Sequence, residues 1–108
     1  MTANEVSTIV FNEIGDSWET TNAHEVNLRK CLVLPPIRAR FKCVGIPDEP
    51  LAVVELWIVL EEDPIKKDGY KIVFDEEYRE FGLAMLDGDG DLSFLGRYGD
   101  FLTILECM

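Results

Sequence analysis

The stretch Leu51-Ala52-Val53-Val54-Glu55-Leu56-Trp57-Ile58-Val59-Leu60-Glu61-Glu62 decides the fold class of this 108-residue chain. Its β-branched and large apolar residues favour a pleated, enclosed backbone. Period two assigns Val54, Leu56, Ile58 and Leu60 to one face and Val53, Glu55, Trp57, Val59 and Glu61 to the other. Apolar residues on both faces predict a central strand. Downstream, Glu62-Asp63-Pro64-Ile65-Lys66-Lys67-Asp68-Gly69 reads as a turn ending in Asp-Gly, and Tyr70 to Phe74 as the return strand. Asp75 to Arg79 is the next turn, Glu80 to Leu86 the next strand, Asp87-Gly88-Asp89-Gly90-Asp91 a third turn and Leu92 to Leu95 the last strand. Upstream, Pro47 and Pro50 mark a loop around Asp48 and Glu49. Pro35 and Pro36 exclude a helix over residues 34–36. From Ile37 to Cys43 alternation predicts a strand with Ile37, Ala39, Phe41 and Cys43 inward and a basic face of Arg38, Arg40 and Lys42 outward.

The two ends change period. Val6, Ile9, Val10, Ile14 and Trp18 share one helical face, with Thr2 or Asn4 as cap and Gly15 as a stop unless the helix runs on to about residue 20. Thr20 to Lys30 is polar and carries no assignable element. Phe101, Leu102, Leu105 and Met108 recur at helical intervals behind Asp100, a suitable N-cap, and Gly96-Arg97-Tyr98-Gly99 reads as the turn before it. The expectation is one α+β domain over residues 1–108: an N-terminal helix, an antiparallel β-meander of four to five strands and a short C-terminal helix around a single core. Trp18, Trp57, Tyr70, Phe74, Phe81, Phe94 and Phe101 are assigned to that core, and Tyr78 to the surface.

Hydrophobic residues make up 47% of the chain, too many for an acidic disordered tail. Ten basic and 21 acidic residues give a net charge of -11. In residues 1–42 five acids cancel five bases, so the whole excess lies in residues 43–108. Such a balance excludes nucleic acid and anionic membrane as partners and predicts one anionic surface. No apolar run approaches the roughly 18 residues of a membrane span. Glu5, Glu13 and Asp16 near the start predict no signal peptide. Cys31, Cys43 and Cys107 are odd in number and widely spaced, which predicts reduced thiols and a cytosolic protein.

Motifs for chemistry are sparse. Asp87-Gly88-Asp89-Gly90-Asp91 opens like a calcium loop, but Leu92 stands where the sixth-position Gly belongs and Tyr98 where the twelfth-position Glu belongs. A hairpin turn is the better reading, with incidental cation binding as its alternative. His24 has no accompanying nucleophile motif, and His24, Cys31, Cys43 and Cys107 lack short zinc spacings. No catalytic residue, metal site or cofactor is therefore expected. The clustered carboxylates Glu61, Glu62 and Asp63, and Asp75, Glu76 and Glu77, fall in or beside turns where water solvates them, and Tyr78 stands among the second group as an interface anchor.

The segments Leu56 to Glu62, Gly69 to Asp75, Phe81-Gly82-Leu83-Ala84 and Phe94-Leu95-Gly96-Arg97-Tyr98-Gly99-Asp100-Phe101-Leu102 resemble small bacterial immunity proteins of contact-dependent and polymorphic toxin systems. The resemblance spans the C-terminal half and rests on turn and core residues. It implies a cytosolic protein that binds and neutralises a cognate protein toxin. The acidic excess favours a basic nuclease domain as that toxin, occluded sterically and electrostatically. Glu61, Glu62, Asp63, Asp75, Glu76, Glu77 and Tyr78 are the candidate contact residues. A regulatory or adaptor module is the alternative, distinguished by the absence of a neighbouring toxin reading frame. A small ligand-binding domain or enzyme is the third, distinguished by an apolar pocket with convergent polar groups.

Overall fold

The computed structural model describes residues 1–43, 53–86 and 90–108. Helix α1 (Ala3–Ile14) and the single-turn helix α2 (Leu28–Cys31) precede five strands, β1 (Leu32–Cys43), β2 (Val53–Glu61), β3 (Tyr70–Asp75), β4 (Glu80–Leu86) and β5 (Leu92–Gly99), and helix α3 (Phe101–Cys107) ends the order. The α+β class and the flanking helices are those the periodicity predicts. The loop at Pro47 to Pro50, the residues Leu51 and Ala52, and Asp87, Gly88 and Asp89 of the third turn lie outside the described residues.

Each strand pairs antiparallel with its successor, and β1 and β5 close the sheet into a barrel. The closure is parallel, Lys42 against Ser93 and Cys43 against Phe94. Parity requires this: directions alternate along a meander, so the first and last of an odd number of strands run the same way. Closure gives the sheet two buried faces, and the single core expected from the sequence becomes two. One lies inside the barrel, around Phe41, Leu56, Ile58, Val73, Ala84 and Phe94. The other lies between the barrel wall and the helices, where Val6, Val10 and Ile14 of α1 meet Trp57, Val59, Leu60, Ile72, Phe74 and Phe81, with Phe101, Ile104 and Leu105 of α3. Rings meet through this layer, Phe74 and Phe81 tilted with centroids 4.9 Å apart and Phe81 and Phe101 edge to face at 5.6 Å.

Several local readings are corrected. The pairing of β2 with β3 slips between Ile58 and Leu60. A bulge shifts the face of every later residue, so Leu60 joins Val59 in the helix-facing core, and Glu61, paired with Lys71, turns to the barrel side. Strand β1 starts at Leu32, five residues before the expected Ile37, and its register slips between Leu32 and Ile37, across two prolines with no N–H for the ladder. Ile37 pairs with Ile58 and so keeps the expected inward face, but it is exposed, since β5 covers β1 only at Lys42 and Cys43. Strand β5 continues through Gly96-Arg97-Tyr98-Gly99, the expected turn, by way of two register shifts against β4. Gly82 permits the close approach there: a Cβ on it would stand 2.5 Å from the Gly96 carbonyl oxygen. Tyr70, assigned to the core, is exposed.

Residues 20–30 carry structure that the polar sequence conceals. Thr21 bridges Asn27, the Asn27 side chain accepts from Lys30 N at 3.1 Å to cap α2, and Val26, Leu28 and Cys31 are buried against the helix layer. Helix α1 begins with a capping box in which Thr2 Oγ1 accepts from Glu5 N at 3.2 Å and Glu5 Oε1 from Thr2 N at 3.1 Å. It ends at Gly15, whose φ of 54° lies in the region glycine tolerates. Trp18 falls beyond the helix yet packs on the same core. At α3, Asp100 holds the N-cap position without a side-chain cap bond; Glu13 of α1 supplies it, Oε1 accepting from Phe101 N at 3.1 Å. Thus one helix caps the other across the layer.

Candidate functional site

The β3–β4 turn is held from both flanks. Asp75, the last residue of β3, accepts at Oδ1 from the backbone N–H of Glu77 (3.0 Å) and Tyr78 (3.4 Å), which folds the turn around its carboxylate. Its Oδ2 accepts from Arg97 Nε at 3.0 Å and Nη2 at 2.9 Å. The Arg97 guanidinium then lies 4.1 Å from the Tyr78 ring centroid and 5.4 Å from that of Phe94. Tyr78 is 58% exposed, so it presents a ring to solvent while its other face rests on a fixed cation.

On the second flank Arg38 of β1 donates from Nε to Glu55 Oε2 at 2.8 Å and from Nη1 to Glu76 Oε1 at 2.5 Å. Arg40 lies 3.7 Å from Glu55, and the Met1 ammonium 3.3 Å from Glu76. Desolvation pushes the Glu76 carboxyl up, but hydrogen bonds and charge from Arg38 and the Met1 ammonium outweigh it and hold the group below its ordinary value. The hydrogen bonds that Arg38 donates to Glu55 and Glu76 raise it above its own ordinary value. Between the flanks runs a cleft of about 360 Å³. Six of its nine lining residues are charged: Arg38, Glu55, Asp75, Glu76, Glu77 and Arg97.

Of the seven candidate contact residues, Asp75, Glu76, Glu77 and Tyr78 line this cleft together. Glu61, Glu62 and Asp63 do not join them; the length of β3, roughly 17 Å at about 3.3 Å per residue, separates the groups. Two of the carboxylates expected in water are buried. Glu61 is 4% exposed and lies 3.2 Å from Lys71 Nζ, itself 2% exposed and donating also to the Lys67 carbonyl at 2.9 Å. Asp75 is 6% exposed beneath Arg97. In both cases a cation from another position makes burial tolerable, the exception to the rule that carboxylates stay in water. Asp63 accepts from Ile65 N at 3.1 Å and Lys66 N at 3.0 Å, and Glu62 Oε1 from Tyr70 N at 3.4 Å, so these two build the β2–β3 loop.

Sequence reasoning missed Arg97, placed in a supposed turn, as well as Arg38 and Glu55. The outward alternation of β1 was the available signal for Arg38, and the position of Glu55 as a charged residue on the β2 face opposite Val54 and Leu56 was the signal for its partner. His24 and Asn22 serve α3: Asn22 Nδ2 donates to the Leu105 carbonyl at 2.8 Å, and His24 Nδ1 contacts the Met108 carbonyl oxygen. The three cysteines are free thiols, and burial pushes that of Cys31 up. Among the described residues no group of three His, Cys, Asp or Glu is arranged to hold a metal, and no helix is long and apolar enough to cross a membrane. The chain matches no protein-family model, and neither curated proteins nor solved structures give a significant match.

Proposed function

We propose that this is a cytosolic immunity protein whose β3–β4 turn docks on the cationic substrate site of a cognate toxin, a nuclease domain being the favoured target. The observation that carries the reading is the rigid presentation of Glu77 and Tyr78 beside Glu76, with Asp75 and Arg97 fixing the turn from beneath. An aromatic anchor set among carboxylates, ordered before contact, loses little conformational freedom on binding. The net charge of -11 adds long-range attraction for a basic face and repulsion for the nucleic acid which that face would otherwise hold. Steric cover and charge together would occlude the toxin's active site. A cleft walled mainly by charged side chains suits a protein surface better than a small apolar ligand.

Co-expression with the toxin domain encoded beside it tests this. The wild-type chain is expected to restore growth, and Glu77→Lys combined with Tyr78→Ala to abolish rescue while the protein stays folded. Full rescue by that double variant would remove the β3–β4 turn from the interface.

A further inference from the structure

We infer that the buried Glu61–Lys71 pair is a register lock, holding β2 on β3 in the bulged alignment against a second alignment that the apolar residues satisfy as well. The inference is independent of the function proposed above. Before the bulge Trp57 pairs with Phe74 and Ile58 with Val73; after it Leu60 pairs with Ile72 and Glu61 with Lys71, which leaves Val59 as the extra residue. Without the bulge the first two pairs would simply continue. Val59 would then stand against Ile72, Leu60 against Lys71 and Glu61 against Tyr70. Cross-strand partners share a face, so Leu60 would point into the barrel beyond Leu56 and Ile58, the side to which strict alternation assigns it.

For the apolar residues the two alignments are close to equivalent. Val59 and Ile72 keep the helix side in both, and Leu60 exchanges one core for the other. The charged residues separate them. Lys71 is 2% exposed and faces the barrel side in either alignment, but only the bulged one sets a carboxylate beside it, Glu61 Oε2 at 3.2 Å. The direct alignment would leave that ammonium against Leu60 and carry Glu61 to the opposite face beside Tyr70. A buried cation without its anion is strongly disfavoured, whereas the pair as a whole adds little net stability; its contribution is therefore to discriminate. The loop beyond is built on the same choice. Glu62 N donates to the Tyr70 carbonyl at 2.9 Å, which continues the bulged alignment, and Lys71 Nζ to the Lys67 carbonyl at 2.9 Å.

Cross-strand nuclear Overhauser contacts in the full chain provide the test. The wild type is expected to show Leu60 against Ile72 and Glu61 against Lys71 in one set of resonances. Glu61→Leu combined with Lys71→Met removes the discriminating charges, and residues 59–62 and 70–72 are expected to give a second set in which Leu60 contacts position 71. The direct alignment, about one part in a hundred or less of the wild type, should rise at least roughly tenfold. Exchanging the charges, Glu61→Lys with Lys71→Glu, rebuilds the pair and is expected to return a single set. Circular dichroism confirms that each variant is folded; should the apolar double variant not fold, Glu61→Gln carries the same comparison, with a second set expected there too. A single set in the neutral variant, with Leu60 still against Ile72, overturns the lock and assigns the register to packing, including the irregularity of β1 between Leu32 and Ile37. A second set that persists after the charges are exchanged overturns it equally, because the pair would then be present without its effect.

Discussion

Replacing Lys71 with Met deletes one half of the ion pair at the end of the barrel interior and leaves the Glu61 carboxylate buried without its cation. The partner ammonium is 3.2 Å away and both residues are nearly inaccessible, so water cannot take its place. Breaking a pair in such a setting costs about 3–5 kcal/mol. For a domain of this size that corresponds to a melting temperature lower by roughly 15–30 °C. Glu61→Leu alone strands Lys71 and is expected to cost a similar amount. The double variant removes both charges, and two apolar side chains of similar volume should restore most of the loss or exceed wild type. Urea denaturation followed by circular dichroism gives all four stabilities, and the slopes should agree, since the exposed area on unfolding changes little. Single variants each costing under about 1 kcal/mol, with a double variant equal to their sum, would refute the claim that this pair is desolvated and closes the barrel end.

Three further outcomes are expected. Glu76 has its folded-state pKa below the unfolded value, so the stability it adds is complete above the ordinary Glu range near about 4.3 and is lost as pH falls through the lower folded value; the wild-type advantage over Glu76→Gln in denaturant midpoint should be present at neutral pH and vanish in acid. Gly82→Ala should destabilise by about 1–3 kcal/mol in thermal melts, because its Cβ meets the Gly96 carbonyl oxygen at 2.5 Å and Phe94 Cε1 at 2.6 Å. Glu13→Ala should cost about 0.5–2 kcal/mol through loss of the α3 cap, whereas Asp100→Ala should be nearly silent because its side chain makes no cap bond; the reverse order would restore the local cap inferred from sequence.

What the sequence carried was local periodicity. Val6, Val10 and Ile14 on one face, and the alternation through Ala39 and Phe41, needed no tertiary knowledge, and both are buried as expected or half-buried at Ala39. The bulge after Ile58 leaves no mark in composition, yet it reverses the faces of Leu60 and Glu61. Gly96 and Gly99 read as turn residues because glycine accommodates turns and strand irregularities equally well, and only pairing with β4 separates the cases. Burial of Asp75 depends on Arg97, 22 positions away, and that of Glu61 on Lys71, whose charge a linear pattern assigns to solvent. Half of the candidate site was therefore legible as acidic turns, while the arginines that organise it were not. The parallel closure was implicit in having five strands, but the sequence did not state that the sheet closes at all.

That closure also governs how the chain reaches its folded state. Every other strand pair joins neighbours in sequence, whereas the last seam must bring Lys42 to Ser93, and the helix layer must bring Glu13 to Phe101. The entropy of closing these long loops is lost before the contacts offset it, which places the domain among folders on the millisecond-to-second scale. Until the seam forms, the interior residues Phe41 and Phe94 have no wall on that side. Intermolecular association of a newly made chain is favoured at this stage, with the five strands paired in sequence and the β1–β5 seam still open.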